Sequence, residues 1–495
     1  MLTPVLDPSA LAHQLAGRHL IDGRLVPSKS GETFPVLSPA TRALVAPAAA
    51  GDAADVAFAV DIASHAQRAW ARISPRERGK LVAECGRRIA GHVEELARLT
   101  ALETGKAIRT ESRVEANVVA DIFTYYGGLG SELKGETLPF RNDVFAFTLR
   151  EPVGVVGAII PWNAPLLLMA LKVCPALVAG NSIVVKSAEE APFGVLRIAQ
   201  ICAEVLPAGV FNMLSGDGPG CGAPLGTHPQ VAKLTFTGSV ETGRIVAHVA
   251  AEKLIPATLE LGGKSPMIVL EDADLDRAVT GAVAGMRFTR QGQSCTAASR
   301  MFVHRSLHDA YVERLVATVN RLKMGDPLDE TTDIGTIISP AQFDRVRHYI
   351  ALGRDTLGAH AHLCSALPED PRLAEGLYVQ PVVFTGLSND HRVCREEIFG
   401  PVTSVMAFDD YEEAITLAND TDYGLAATVW TRDLNRAVDA VHRLNAGFVQ
   451  VNQNLVVQPT LAYGGFKTSG LGKEASLGAM LEHFTRSKTV LINRG

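Results

Sequence analysis

The sequence lacks the long blocks of like charge and the long apolar runs that mark several classes of protein. Lys and Arg number 47 and Asp and Glu 53, which gives a formal net charge of −6, and the charges are interspersed. Nucleic acids and anionic membranes are therefore not expected as main partners. The apolar stretch at 153–160 is far shorter than the roughly 20 residues that cross a bilayer, so no membrane-spanning segment is predicted.

Cysteine is scarce and scattered, with 7 residues in 495. The cysteines form no Cys-x-x-Cys pair and no Cys/His cluster with the spacing of a zinc site, so no metal site is predicted. An odd number of dispersed cysteines is typical of a reducing compartment. The N-terminal segment also lacks a basic region followed by an apolar core, so no secretory signal is predicted and a cytoplasmic location is expected.

The most regular part of the chain, 153–261, alternates short apolar runs with helix-like segments. The five apolar runs lie at 154–160, 182–186, 209–214, 232–236 and 257–261. This alternation predicts an α/β fold with a parallel sheet that is covered by helices on both faces. Ligands of such sheets bind at the carboxyl ends of the strands.

The whole chain of 495 residues is long enough for two or three domains, and the segments outside 153–261 give coarser predictions. Residues 18–50 are typical of hairpins and edge strands, and a second strand–helix series after Pro266 predicts a second α/β domain. Other predicted elements are two helices in 52–104 separated at Pro75, a helix at 107–127, a helix at 220–226, and strands at 144–149 and 489–492.

Polar or glycine-rich residues follow or end each of the five apolar runs, which predicts one binding crevice. These residues are Trp162 and Asn163, Lys186 and Glu189, Gly218, Gly238 and Ser239, and Glu260. An acidic residue after the second strand can bind the adenine ribose, and Glu189 would repel a 2′-phosphate, which favours NAD over NADP. The alternative interpretation of Glu189 is a solvated loop residue.

The phosphate-binding part of this crevice is predicted at 237–239, where a strand meets a helix. Backbone N–H groups at a helix start can face a pyrophosphate, and Gly238 permits close approach. The first strand is not followed by the G-x-G-x-x-G pattern, so the phosphate contact differs from that of an ordinary Rossmann enzyme.

Three residues have side chains suited to catalysis. Cys295 lies in a short polar turn where Gly292 and small neighbours permit close approach to the sulfur; the alternative is a buried, inert thiol. Glu260 lies in an apolar run, where burial would raise its pKa and suit a general base; the alternative is a structural ion pair. Asn163 can donate to an oxyanion; its alternative is helix capping.

Seven segments in this order resemble the motif set of the aldehyde dehydrogenase superfamily. They are IIPWNAP (159–165), KSAEEAP (186–192), FTGSVETG (236–243), LELGGKSP (259–266), QGQSC (291–295), EEIFGPV (396–402) and YGGFKTSGLGKE (463–474). The resemblance extends from 21–26 to 488–493.

The resemblance implies three structural parts and a homodimer or homotetramer. It implies a Rossmann-type cofactor domain at 1–129 and 151–262 and a catalytic domain at 263–462. A small β oligomerisation arm and C-terminal tail would come from 130–150 and 463–495.

The resemblance also implies roles for particular residues. Cys295 would be the nucleophile and Glu260 the general base, with Asn163 and the backbone N–H of Cys295 as the oxyanion hole. Lys172 and Glu474 match positions linked to proton relay. The implied cofactor-binding residues, for NAD with NADP as an alternative, are Ile160, Trp162, Lys186, Glu189, Gly218, Phe236, Gly238, Ser239, Leu261, Gln342, Glu397 and Phe399.

The implied reaction oxidises a small-molecule aldehyde to its acid through a thiohemiacetal and a thioester on Cys295. Glu260 favours hydrolysis of the thioester over transfer to coenzyme A. Ala164 after Asn163, Arg290 before Gln291 and the apolar segment 454–461 depart from the usual pattern. They predict a medium or large apolar or aromatic aldehyde, with a semialdehyde of a catabolic pathway as the alternative.

Two other classes of function are weighed against this one. A thioesterase or esterase using Cys295 without redox chemistry would need a His base, and no His lies near Cys295 or at the five strand ends. A binding protein that has lost catalysis is disfavoured by the presence of Cys295, Glu260 and Asn163 together.

Overall fold

The computed structural model describes residues 7–454 and 458–495. Its α-helices are α1 (Pro8–Leu15), α2 (Ala53–Trp70), α3 (Pro75–Ala90), α4 (Val93–Thr104), α5 (Arg113–Gly128), α6 (Pro165–Ala179), α7 (Phe193–Ala203), α8 (Ala223–Thr227), α9 (Val240–Lys253), α10 (Leu275–Met286), α11 (Arg305–Val319), α12 (Pro340–Arg354), α13 (Arg392–Arg395), α14 (Tyr411–Asn419), α15 (Leu434–Arg443) and α16 (Leu477–His483). Short π-helical turns span Ile108–Ser112 and Gly218–Gly222.

The strands are β1 (Arg18–Ile21), β2 (Arg24–Pro27), β3 (Thr33–Leu37), β4 (Leu44–Ala49), β5 (Thr137–Arg141), β6 (Val144–Pro152), β7 (Val155–Ile159), β8 (Ser182–Lys186), β9 (Phe211–Leu214), β10 (Val231–Thr237), β11 (Ala257–Glu260), β12 (Pro266–Val269), β13 (Arg300–His304), β14 (His360–Leu363), β15 (Val382–Thr385), β16 (Val402–Phe408), β17 (Tyr423–Gly424), β18 (Ala426–Trp430), β19 (Phe448–Val451), β20 (Phe466–Lys467), β21 (Gly470–Leu471) and β22 (Thr485–Asn493).

The first large sheet has the strand order β2-β1-β9-β8-β7-β10-β11-β21. Its five central strands, β9 to β11 in this order, are mutually parallel. They correspond to the five apolar runs, and every residue of β8 and β9 is buried. The predicted parallel sheet is confirmed. The structure adds antiparallel edge strands, including β21 from the C-terminal part of the chain.

The second large sheet has the order β14-β15-β16-β13-β12-β18-β19 and is parallel except for β14. The predicted second α/β series is confirmed. Strand β14 was not predicted because its sequence, HAHL, has no continuous apolar run and it lies at the sheet edge. Both sheets have large buried clusters of aliphatic and aromatic side chains against their helices.

A three-stranded antiparallel sheet, β22-β6-β5, joins two parts of the chain far apart in sequence. Thr489 pairs with Thr148, and the predicted strand 489–492 lies in the C-terminal half of a longer strand, β22. These strands lie within the predicted arm and C-terminal tail, except for the last two residues of β6; the domain boundaries and the oligomerisation role stay predictions.

Three helical predictions were incomplete. The 52–104 region forms three helices rather than two. The predicted break at Pro75 is present, since Pro75 occupies the first turn of α3 after the Ser74 cap, but a further break follows α3 and α4 begins at Val93. The 107–127 helix begins with a π-helical turn, and the predicted 220–226 helix is a π-helical turn followed by α8. Within the described residues, no helix is both long and apolar enough to cross a membrane.

Candidate active site

A cavity of about 450 Å³ lies where the carboxyl ends of β7, β10 and β11 face the turn that holds Cys295. It is lined by Pro161, Trp162, Asn163, Thr237, Gly238, Ser239, Val240, Glu241, Glu260, Leu261, Gly262, Cys295, Gln342, Arg345, Glu397, Phe399 and Tyr423. The structure therefore brings Cys295, Glu260 and Asn163 together with seven of the predicted cofactor residues.

The Cys295 turn is fixed by its backbone. Gln291 and Gly292 both adopt positive φ, and a Cβ on Gly292 would lie 2.0 Å from the Gly400 carbonyl oxygen. Only glycine permits this contact, through which the turn packs against the loop after α13. The half-buried Cys295 is thereby presented to the cavity.

The Cys295 thiol contacts a hydroxyl that the sequence did not single out. Its Sγ lies 3.2 Å from Tyr463 Oη. Burial raises the pKa of the thiol to about 11, while the Tyr463 hydrogen bond lowers it and the nearby Glu397 and Glu260 carboxyls raise it. One feature of the sequence could have pointed to Tyr463: it lies directly before the two glycines of the YGGF segment.

Asn163 is held by both its side chain and its backbone. Its Nδ2 donates to the Gln293 carbonyl oxygen at 3.1 Å, so the predicted oxyanion donor already has an acceptor. Its carbonyl oxygen accepts from Lys106 Nζ at 3.2 Å. The alternative role as a side-chain helix cap is not observed, since α6 begins at Pro165 without a side-chain cap hydrogen bond.

A buried ion pair supports the Asn163 loop from below. Lys106 is paired with Glu115, and both side chains are almost fully buried. Glu115 Oε1 also accepts from the backbone N–H groups of Leu166 and Leu167 at 2.9 and 3.1 Å. The pair thus connects α5, the first turn of α6 and the Asn163 carbonyl.

Glu260 is buried at the end of β11 without a partner. Within the described residues, neither carboxylate oxygen makes a hydrogen bond or ion pair. Burial raises its pKa well above the usual value, and Glu474 raises it further. A Cβ on Gly464 would lie 2.7 Å from Glu260 Oε1, so the backbone can approach the carboxylate this closely only because residue 464 is glycine. A structural ion pair, the alternative interpretation of this residue, is not present.

Lys172 and Glu474 form a fully buried ion pair with 2.6 Å between Nζ and Oε1. Thr235 Oγ1 also donates to Glu474 Oε1 at 3.2 Å. Both charges act on Glu260: Glu474 raises its pKa and Lys172 lowers it. The two predicted relay residues therefore lie behind Glu260, outside the cavity lining among the described residues.

One end of the cavity is formed by the start of α9. Ser239 caps this helix, and both Ser239 and Val240 line the cavity. A Cβ on Gly238 would lie 2.4 Å from the Phe236 ring, so the chain passes closely over that ring. Helix starts attract phosphate groups because their N–H groups and dipole favour negative charge.

The other end of the cavity contains Glu397, Gln342 and Phe399. Glu397 Oε1 accepts from the Gly263 N–H at 2.9 Å, and burial raises the pKa of Glu397 to about 7. Gln342 Nε2 donates to the Phe399 carbonyl oxygen at 2.9 Å. The Phe399 ring packs edge-on against Trp162 with 5.4 Å between ring centroids.

Five predicted cofactor residues are outside the cavity lining, as far as the described residues are concerned. They are Ile160, Lys186, Glu189, Gly218 and Phe236. Lys186 lies at the end of β8, with its Nζ 3.2 Å from Glu189 Oε2, and Gly218 opens the turn after the neighbouring strand β9. These three residues lie at or just after the carboxyl ends of the neighbouring strands β8 and β9, on the same side of the sheet as the cavity. An elongated anionic ligand could therefore extend from the cavity toward them.

Arg290 is neutralised by a carboxylate that the sequence did not indicate. Its guanidinium lies 2.6 Å from Glu111 Oε2, and Thr289 Oγ1 donates to the other oxygen of Glu111 at 2.5 Å. Glu111 comes from the π-helical turn before α5. Of the predicted entrance segment 454–461, residues 455–457 are outside the described part of the chain.

Sequence and structure comparisons identify similar proteins along the whole chain. The model of the aldehyde dehydrogenase family matches residues 25–490. An aldehyde dehydrogenase from Bacillus cereus, solved as an NAD+ complex, is 37% identical with a TM-score of 0.95, covering 100% of this chain and 99% of that one. PnpE from Pseudomonas sp. WBC-3 is 38% identical, with a TM-score of 0.93 and coverage of 97% and 98%.

A third similar structure is a betaine aldehyde dehydrogenase from Staphylococcus aureus, solved with NAD+. It is 33% identical with a TM-score of 0.93, covering 98% of this chain and 96% of that one.

Proposed function

This chain belongs to the aldehyde dehydrogenase family, and on that premise we propose that it oxidises an aldehyde to the carboxylic acid with NAD. The observation that carries the proposal is the shared cavity: a thiol, an unpartnered carboxyl and an amide meet beside a helix start suited to phosphate. NAD is supported by the NAD+-bound relatives.

The residues fit NAD in three places. The N–H groups at the start of α9 would hold the pyrophosphate, and Glu189 with Lys186 would hold the adenine ribose. Glu397 and Gln342 would hold the nicotinamide half. When bound, NAD supplies the hydride acceptor.

Cys295 is the proposed nucleophile. Its thiolate would attack the aldehyde carbon to give a thiohemiacetal, and loss of hydride would leave a thioester. Asn163 Nδ2 would stabilise the oxyanion by exchanging its bond to the Gln293 carbonyl for one to the negatively charged oxygen, together with the Cys295 N–H.

Glu260 is the proposed base for thioester hydrolysis. Its two oxygens have no hydrogen-bond partner within the described residues and can accept a proton from water. The buried Lys172–Glu474 pair would take part in moving that proton onward.

For the substrate, we propose a medium or large apolar or aromatic aldehyde. Ala164 leaves the Asn163 side of the site without a bulky side chain, and the charge of Arg290 is neutralised by Glu111. A carboxylate-bearing semialdehyde is the second candidate. It is favoured by Arg287, whose guanidinium has no hydrogen-bond or ion-pair partner within the described residues and which lines a small cavity with Thr296.

Steady-state kinetics with NAD test the substrate class. Benzaldehyde and a long-chain aldehyde should give kcat/KM values at least about tenfold above that of succinic semialdehyde, about 1.4 kcal/mol in transition-state binding. The reverse order would favour the second candidate.

Substitution tests the nucleophile. C295A should abolish NADH formation, while C364A, at a buried cysteine outside the cavity lining of the described residues, should retain it. Ester hydrolysis without NADH formation from any aldehyde would instead support the thioesterase alternative.

A further inference from the structure

Tyr463 is held rigidly behind the Cys295 sulfur. Its backbone forms two hydrogen bonds with Glu474, from Tyr463 N at 3.0 Å and from Glu474 N at 2.7 Å. Its ring packs edge-on against Phe448 with 5.8 Å between centroids. Tyr463 is 2% exposed and, unlike Cys295, does not belong to the cavity lining of the described residues. The sulfur therefore lies between the cavity and the phenol.

The hydroxyl of Tyr463 has a single acceptor. Within the described residues its one hydrogen-bond partner is Cys295 Sγ, at 3.2 Å. Burial raises the pKa of this phenol well above its ordinary value, so it is protonated near neutral pH. A protonated phenol facing a thiolate must donate, and a hydrogen bond to an ionised acceptor is stronger than one to the neutral thiol.

The other charged groups around the sulfur do not replace this donor. Glu397 and Glu260 oppose formation of the thiolate. Arg290 favours it, but its guanidinium is bonded to Glu111. Arg287 has an electrostatic interaction with the sulfur, but within the described residues no hydrogen bond joins the two side chains. Among the described residues, Tyr463 is thus the side chain that forms a hydrogen bond with the sulfur.

We propose that Tyr463 is a catalytic residue whose hydroxyl donates a hydrogen bond to the Cys295 thiolate and stabilises it for attack on the aldehyde. This proposal rests on Cys295 being the nucleophile. The thiol first loses its proton to water. The C–S bond then forms as the carbonyl π bond breaks and its electron pair moves to oxygen, while Tyr463 keeps its proton throughout.

The test is the pH dependence of Cys295 alkylation by iodoacetamide in the enzyme without cofactor, followed by peptide mass spectrometry. Only the thiolate reacts, so the midpoint reports the pKa of the thiol. Y463F should raise the midpoint by about one pH unit and slow alkylation near neutral pH about tenfold. The low-pH limb of kcat/KM should move in the same direction.

Two controls separate a hydrogen-bond role from a packing role. Y311F removes a buried hydroxyl that contacts Met301 Sδ at 3.3 Å, and its Cys295 midpoint should equal that of the wild type. Replacement of Tyr463 by 3-fluorotyrosine keeps the ring and makes the phenol a stronger donor, so it should lower the midpoint. This variant also tests the proposal if Y463F does not fold.

An unchanged midpoint in Y463F, or a midpoint that does not follow donor strength, would overturn the role of Tyr463. The proposed function is tested separately, by the activity of C295A. If C295A still oxidised aldehyde, Cys295 would not be the nucleophile, whatever the effect of Y463F.

Discussion

At the scale of single residues, burial sets the chemistry of the site. Cys295 and Glu260 both have a raised pKa because each lies in surroundings of low polarity. The hydrogen bond with Tyr463 lowers the pKa of the thiol and so offsets part of the effect of burial. Glu260, in contrast, has no hydrogen-bond partner within the described residues. Such a carboxyl is mostly protonated at low pH and becomes a base as pH rises.

We expect E260Q to form the thioester but to hydrolyse it about 100-fold more slowly or worse, because the base for water is removed. In the wild type, hydrolysis should become faster as pH rises through the raised pKa of Glu260, and E260Q should lose this dependence. Intact-protein mass spectrometry after mixing with NAD and aldehyde should detect the acyl-enzyme in E260Q. A variant that turns over at the wild-type rate would contradict the assignment.

The effect of Glu260 on stability depends on pH in the opposite direction to its effect on hydrolysis: stability falls as pH rises. A carboxyl whose pKa is raised by folding stabilises the protein below its unfolded pKa, and this contribution is lost as pH rises through the folded pKa. E260Q should therefore have a higher Tm than the wild type at alkaline pH, and the difference should shrink toward acid pH.

Glu189 is expected to determine cofactor preference. E189Q removes the carboxylate that would face a 2′-phosphate and should raise the ratio of kcat/KM for NADP to that for NAD by about tenfold or more. E190Q, at the neighbouring carboxyl, is the matched control and should leave the ratio unchanged. Equal ratios in both variants would remove Glu189 from the cofactor site.

At the scale of elements, the central strands and their ends were predictable, whereas the short strands and turns that pack around them were not. The central parallel strands are apolar because helices cover both faces of the sheet, and that pattern can be read locally. The two-residue strands β17, β20 and β21 leave no periodic signal. The π-helical turn that carries Glu111 has the same residue types as a helix, so periodicity did not distinguish it.

The buried Lys106–Glu115 pair is expected to support the α5–α6 corner and the Asn163 loop. K106M leaves Glu115 as a buried charge without its partner and should destabilise the protein by about 3–5 kcal/mol. It should also lower kcat more than it raises KM, because the proposed role of Asn163 is to stabilise the transition state. Urea unfolding and steady-state kinetics measure the two effects.

The matched control is K80M, at the exposed Lys80–Glu77 pair. Exposed pairs contribute about 0–1 kcal/mol, so K80M should unfold close to the wild type. Equal effects of K80M and K106M would contradict a supporting role for the buried pair.

At the scale of the whole molecule, the site exists because two sheets and the C-terminal part of the chain meet around it. Strand β21 pairs with β11 beside Glu260, and Glu474 lies behind it. The three-stranded sheet β22-β6-β5 exposes large apolar side chains, which is typical of an interaction surface. These are Phe140, Phe145, Leu149, Leu491 and Ile492.

We expect this sheet to bind further copies of the chain, giving a dimer or tetramer in solution. I492D places a charge on the face of the sheet that Ile492 shares with Phe145 and Leu149, and it should shift the protein toward smaller species in size-exclusion chromatography with light scattering. L357D, at a fully exposed leucine outside this sheet, should leave the distribution unchanged. A wild type that is monomeric at all concentrations would contradict the prediction.

The sequence by itself determined the α/β class and most of the strand and helix series, and it singled out Cys295, Glu260 and Asn163 as the candidate catalytic residues. These features depend on local apolar periodicity and on motifs a few residues long. Only the tertiary structure decided which groups touch them. Cys295 and Tyr463 are separated by 168 positions and Lys172 and Glu474 by 302, yet each pair is in contact. Contacts across such separations arise from packing of whole elements, as does the burial that leaves Glu260 without a partner in the described chain.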